Sequence, residues 1–155
     1  MKKTAFTFVV LFAAAFVFAG CEKTPDDLIV GKWKFQSEIR ERTDLQHPGT
    51  VQLDTFLPTN LTMEISHFKK NGTVTYYSEA NIVDVGDYTE TYDWKLSGDG
   101  KTLYLTNGRN NQGVKIGYFD RKKEVLVLNN DELVTRDTSK GERYLFVTVS
   151  NYKRM

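Results

Sequence analysis

The chain has 155 residues, 40% of them hydrophobic and 26% charged, with a formal net charge of +1. That near-neutral balance excludes the strongly basic footprint typical of nucleic-acid binding, and the apolar content excludes disorder. The averages mix two unlike segments, because Met1–Gly20 alone holds 15 apolar residues, including five of the ten Phe and five of the six Ala.

Met1-Lys2-Lys3 reads as the positive start of an export signal, and Thr4–Ala19 as its apolar stretch. About 16 residues is short for a membrane span, which needs about 20. Phe18-Ala19-Gly20-Cys21 resembles a bacterial lipobox, with Phe18 where the pattern prefers an aliphatic residue. The resemblance implies cleavage before Cys21 and lipidation of its thiol, so that residues 1–20 are a lipoprotein signal peptide. Cys21 is the only cysteine, which excludes an internal disulfide and gives the lone exported thiol a purpose. Lipoproteins of this kind carry several acyl chains on that residue, palmitate among them. Such an anchor is effectively permanent. It implies a bacterial cell-envelope location, on the outer membrane, with the periplasmic or surface face left open. Residues 21–27 then read as a polar tether and residues 28–155 as one domain.

The remaining 135 residues are about 35% apolar and carry a net charge of −1. They contain one Ala (Ala80) against 11 Val, 5 Ile and 15 Thr, a composition that favours strands over helices. In Lys32–Arg42 one parity gives Trp33, Phe35, Ser37 and Ile39. The other is wholly polar or charged, which predicts one buried and one wet face. Arg42–Asn60 reads as a long connection around a short strand, Val51–Phe56. Leu61–Phe68 and Thr73–Glu79 flank Asn71-Gly72, whose positive φ angles suit a hairpin turn. Val83–Leu96 and Lys101–Thr106 flank Ser97–Gly100. Asn107–Gly113 reads as a flexible loop, and Val114–Phe119, Glu124–Leu128, Glu132–Arg136 and Arg143–Ser150 complete the series.

About eight to ten strands joined by short turns must pair antiparallel with their neighbours, and such a meander leaves open edges unless it closes. The expected fold is therefore all-β, an up-and-down barrel, with a two-sheet β-sandwich as the alternative. Gly31-Lys32-Trp33, opening the first strand, resembles the Gly-x-Trp signature of lipocalins. Phe68–Val74 and Trp94–Leu103 are similar to hairpins of bacterial lipocalin-like lipoproteins. This resemblance implies a calycin-type barrel with Trp33 plugging its floor. A basic residue packs over that Trp in the family, and Tyr152-Lys153-Arg154 offers one.

Catalysis finds little support. His47 and His67 lack ligand spacing, the acidic series Asp84, Asp87, Glu90, Asp93 lacks a compact calcium-loop pattern, and no nucleophile elbow or phosphate-binding loop is present. No cofactor or metal is implied. Ligand binding is harder to dismiss. In Tyr88–Leu96 the parity of Tyr88, Tyr92 and Trp94 carries Glu90 inward with it, and a carboxylate inside a barrel needs a partner, a proton or water. The other inward candidates by parity are Met63, Ile65, Val74, Ile116 and Phe146. The candidate ligand-binding set is Trp33, Phe35, Tyr76, Glu90, Tyr92, Trp94, Tyr118 and Tyr144, lining a cavity for a small hydrophobic or amphipathic molecule. The alternative, from another class, is a packed β-domain serving an envelope protein complex through an exposed patch at Arg42–Asn60 or Asn107–Gly113.

Overall fold

The computed structural model describes residues 23–58, 64–78, 89–116 and 121–155. Among the described residues a short helix, α1 (Pro25–Ile29), precedes nine strands. They are β1 (Gly31–Asp44), β2 (Val51–Phe56), β3 (Glu64–Phe68), β4 (Thr73–Ser78), β5 (Thr89–Leu96), β6 (Thr102–Asn110), β7 (Arg121–Leu128), β8 (Glu132–Lys140) and β9 (Tyr144–Arg154). Every pairing is antiparallel, and β9 closes the sheet by pairing with β1 from Trp33↔Arg154 to Asp44↔Tyr144. The fold is an up-and-down closed barrel of eight strands with one extra strand, compatible with a lipocalin-like fold. Closure removes the edges that a sandwich would leave.

The extra strand is a matter of continuity. β2 pairs with β1 from Thr43 down to Glu38, and β3 pairs along the same edge from Lys34 down to Gly31. The two lie end to end along that edge, so they act as one barrel strand.

Among the described residues three irregularities bend the wall. Between Phe35 and Ser37 the partner on β9 advances by one residue, from Tyr152 to Asn151, so Gln36 is an inserted residue in β1. A second insertion lies in β6, where Thr106 to Arg109 faces Asp93 to Thr91 and Asn107 adopts φ 54°. The third lies in β7, where Leu126 is extra between Val125 and Val127. Each such bulge flips the faces of the residues that follow it.

The first flip corrects the expected faces of β1. Trp33 and Phe35 point inward, but beyond Gln36 the inward set is Glu38, Arg40, Arg42 and Asp44, which pair with Ser150, Thr148, Phe146 and Tyr144. Ile39, expected inside, is 44% exposed. Alternation alone could not register the extra residue.

Other boundaries also move. β6 continues to Asn110 and β8 to Lys140, through stretches expected to be loop and turn. α1 starts at Pro25, inside the expected tether, because Thr24 and Asp27 form a reciprocal capping box at its start. At Asn71-Gly72 only Gly72 has positive φ; Asn71 instead accepts from the Thr73 amide through its side chain. Ile65, expected inward, pairs with Lys34 and shares the outer face, although it is fully buried.

Candidate functional site: the barrel interior

The interior divides into a filled floor and a polar upper half. At the floor, Trp33 is 0% exposed. Its indole N–H donates to the Ile29 carbonyl at 2.7 Å, and the Arg154 guanidinium carbon lies 4.3 Å from its ring centroid. Arg154 Nη1 donates to the Val30 carbonyl at 2.9 Å, and Nη2 to the Leu28 carbonyl. One side chain thereby ties β9 to α1 and to the ring that plugs the barrel. Gly31 makes room for it: φ is 141°, and a Cβ there would lie 2.5 Å from Arg154 Nη1. Phe35 packs edge-on against Tyr152 with centroids 5.8 Å apart, and Phe68, Val74, Leu96, Leu103, Leu105, Val125 and Leu133 complete the apolar fill. Burying a side chain of this size contributes about 1.5–3 kcal/mol.

One wall above the floor is formed by β3, β4 and β5. The register aligns Ser66, Tyr76 and Glu90 across these neighbouring strands, facing inward like Trp33, the partner of Ser66. Tyr92 donates its phenol to Glu90 Oε2 at 2.6 Å, stacks edge-on with Tyr76 at 5.8 Å, and carries the Arg121 guanidinium 5.6 Å from its centroid. The inward carboxylate thus has the partner its location requires. Gly108 sits directly beneath Tyr92, where a Cβ would lie 2.5 Å from Cε1 of the ring. Ser66 is 2% exposed, and its hydroxyl has no hydrogen-bond partner among the described residues.

The facing wall is formed by β2, β1, β9 and β8 beyond the Gln36 bulge. Its inward rows read Phe56–Glu38–Ser150–Thr135, then Asp54–Arg40–Thr148–Asp137, then Gln52–Arg42–Phe146–Ser139. Arg40 pairs with Glu38 at 2.8 Å and lies 4.8 Å from the Phe56 centroid. Arg42 lies 5.1 Å from the Tyr144 centroid, donates to Gln52 Oε1, and has no carboxylate partner among the described residues. At the rim Arg143 pairs with Asp44 at 3.2 Å. The Gln46 amide, then Arg143 and His47, hold the Asp44 carboxyl below the ordinary carboxylate value, against burial.

These positions sort the residues singled out from sequence. Trp33 and Phe35 belong to the packed floor. Tyr76, Glu90 and Tyr92 come together on one wall, and Tyr144 stands at the mouth of the other. Trp94 lies low in the barrel. It stacks on Phe68 and donates to the Lys69 carbonyl, and one side of it lines an outer groove of about 350 Å³ with Asp26, Asp27, Val30, Lys70 and Lys95. Cys21 and Tyr118 lie outside the described residues. His67 faces outward on β3, and burial, with Lys69 and Lys32 nearby, lowers its pKa. The residues that sequence reasoning missed are Glu38, Arg40, Arg42, Asp54, Asp137 and Ser66.

Comparison with models of known protein families, with curated proteins and with solved structures finds no match.

Proposed function

We propose that this protein is a lipocalin-like lipoprotein, tethered to the bacterial envelope through Cys21, whose barrel binds a small amphipathic molecule without transforming it. The observation that carries the reading is the gradient of exposure along the inner face. Trp33, Leu105 and Val74 are fully buried at the bottom, whereas the inward-facing Phe56 is 42% exposed and Arg40 keeps 43% of its side chain accessible. Accessible inward side chains support a reading in which their own bulk does not fill the upper interior. An eight-stranded barrel has room for its side chains or for one small ligand. An apolar floor beneath a polar upper half matches a guest with a tail and a head.

The direct test is native mass spectrometry of the mature protein taken from its own host. The reading expects a non-covalent small-molecule adduct, together with acyl chains on Cys21. Bare protein in repeated preparations would count against it.

A second reading draws on the outer face. Val51 and Leu53 on β2 and Ile39 on β1 are exposed, and β9 adds the half-buried Leu145, Val147 and Val149 beside them. Such an apolar face suits a protein partner. A stoichiometric protein in the same mass spectra would favour it.

A further inference from the structure

We propose that the wall built by β1 beyond its bulge is a head-group site for an amphiphile that is polar but carries no net charge. The proposal rests on the reading of the interior as a ligand chamber and specifies what that chamber prefers.

The wall is charged without being of one sign. Arg40 and Arg42 face inward on β1; Arg40 is flanked in register by Asp54 on β2 and, two strands away, by Asp137 on β8, and Arg42 by Gln52 on β2 and, two strands away, by Ser139 on β8. Glu38 pairs with Arg40, and Arg143 pairs with Asp44 at the rim. Three cations therefore stand against four carboxylates. A head group with a net negative charge meets Glu38 and Asp54 where it reaches Arg40. A net positive one meets Arg40 where it reaches either of those carboxylates. Like-charge contact in a partly desolvated site is unfavourable. A head group bearing hydroxyls, or both signs, uses the donors and the acceptors at once.

The groups are also held in place for this. Arg40 and Arg42 each lie against an aromatic ring, Phe56 and Tyr144, which fixes the guanidinium; Nη2 of each is engaged, by Glu38 and by Gln52, and the other N–H groups are the ones that would donate to a guest. Arg42 has no carboxylate to satisfy it among the described residues. Below Arg42 the inner face passes Arg40 and Glu38 and reaches Phe35 and Tyr152, the top of the apolar floor, on which a chain would rest.

The experiment uses the mature protein in nanodiscs, incubated with an equimolar mixture of decyl maltoside, decylphosphocholine, decanoate, decyltrimethylammonium and decanol. After release, native mass spectrometry reads each adduct. We expect the maltoside or the phosphocholine adduct to exceed decanol about tenfold, the maltoside alone indicating a hydroxyl-rich head and the phosphocholine alone a zwitterion. Arg42→Met should lower that adduct about tenfold while leaving the decanol adduct unchanged, which shows that the barrel still folds. Preference for decanoate or decyltrimethylammonium, or equal binding of all five, overturns the head-group assignment and leaves the chamber standing. Absence of every adduct overturns the chamber itself.

Discussion

Arg154, on the last strand, stacks over Trp33, on the first, with 4.3 Å between guanidinium carbon and ring centroid. The contact sits where β9 closes against β1, and the same guanidinium holds the Leu28 and Val30 carbonyls at the end of α1. Closure of the barrel and seating of its plug are thus one interaction. Arg154→Met keeps bulk but loses the charge and both hydrogen bonds. It should cost about 2–3 kcal/mol in urea unfolding, with the slope unchanged. Arg154→Lys should fall between, because an ammonium cannot bridge two carbonyls while lying flat on the ring. Wild-type stability in the methionine variant would remove this contact from the account.

Gly108 and Tyr92 make a second tight pair. An added methyl at 2.5 Å from Cε1 must push the ring off Glu90 and Tyr76. Gly108→Ala is expected to destabilise by about 1–3 kcal/mol. Combined with Tyr92→Leu, the loss should be clearly less than the sum of the two single changes. Strict additivity would mean that the two residues do not meet.

Gln36 controls which side of β1 faces the interior. Deleting it should remove the bulge and restore regular alternation, with Ile39 still outward and Arg40 and Arg42 still inward. The expected outcome is a barrel that still unfolds cooperatively and keeps its amphiphile adduct. Loss of the adduct in a folded deletion variant would show that the bulge itself, beyond the parity it sets, shapes the wall.

Asp44 sets an acid limit on stability. Its carboxyl is held low chiefly by the Gln46 amide, with Arg143 and His47 assisting. A folded pKa below the unfolded one contributes stability that is complete above about pH 4 and disappears as pH falls through the folded value. Asp44→Asn should therefore lower Tm near neutral pH and flatten the fall in Tm below about pH 4. A variant whose acid limb is as steep as that of the wild type would place the titration elsewhere.

Much of the architecture was legible because short turns and alternation leave few topologies. The sequence pattern places β2 at Val51–Phe56, as observed, and the resemblance carried by Gly31-x-Trp33 implies the plug and a basic cover, which Arg154 supplies. On the β5 wall, Tyr92 and Glu90 kept their expected face because the bulge opposite them falls in β6. The facing wall was not legible. After Phe35 every residue of β1 except Ile39 is polar, so the pattern contains no second apolar position to reveal the change of parity at Gln36. α1 was missed for a related reason: five residues are too few for helical periodicity, and only Thr24 and Asp27 announced it.

The most direct test is a crystal structure of the mature protein purified from its own host. The account predicts Ile39 turned outward, Arg40 and Arg42 turned inward beside Phe56 and Tyr144, and an elongated molecule lying between that wall and Tyr92. An interior packed to the rim by side chains, with Ile39 among them, would contradict it.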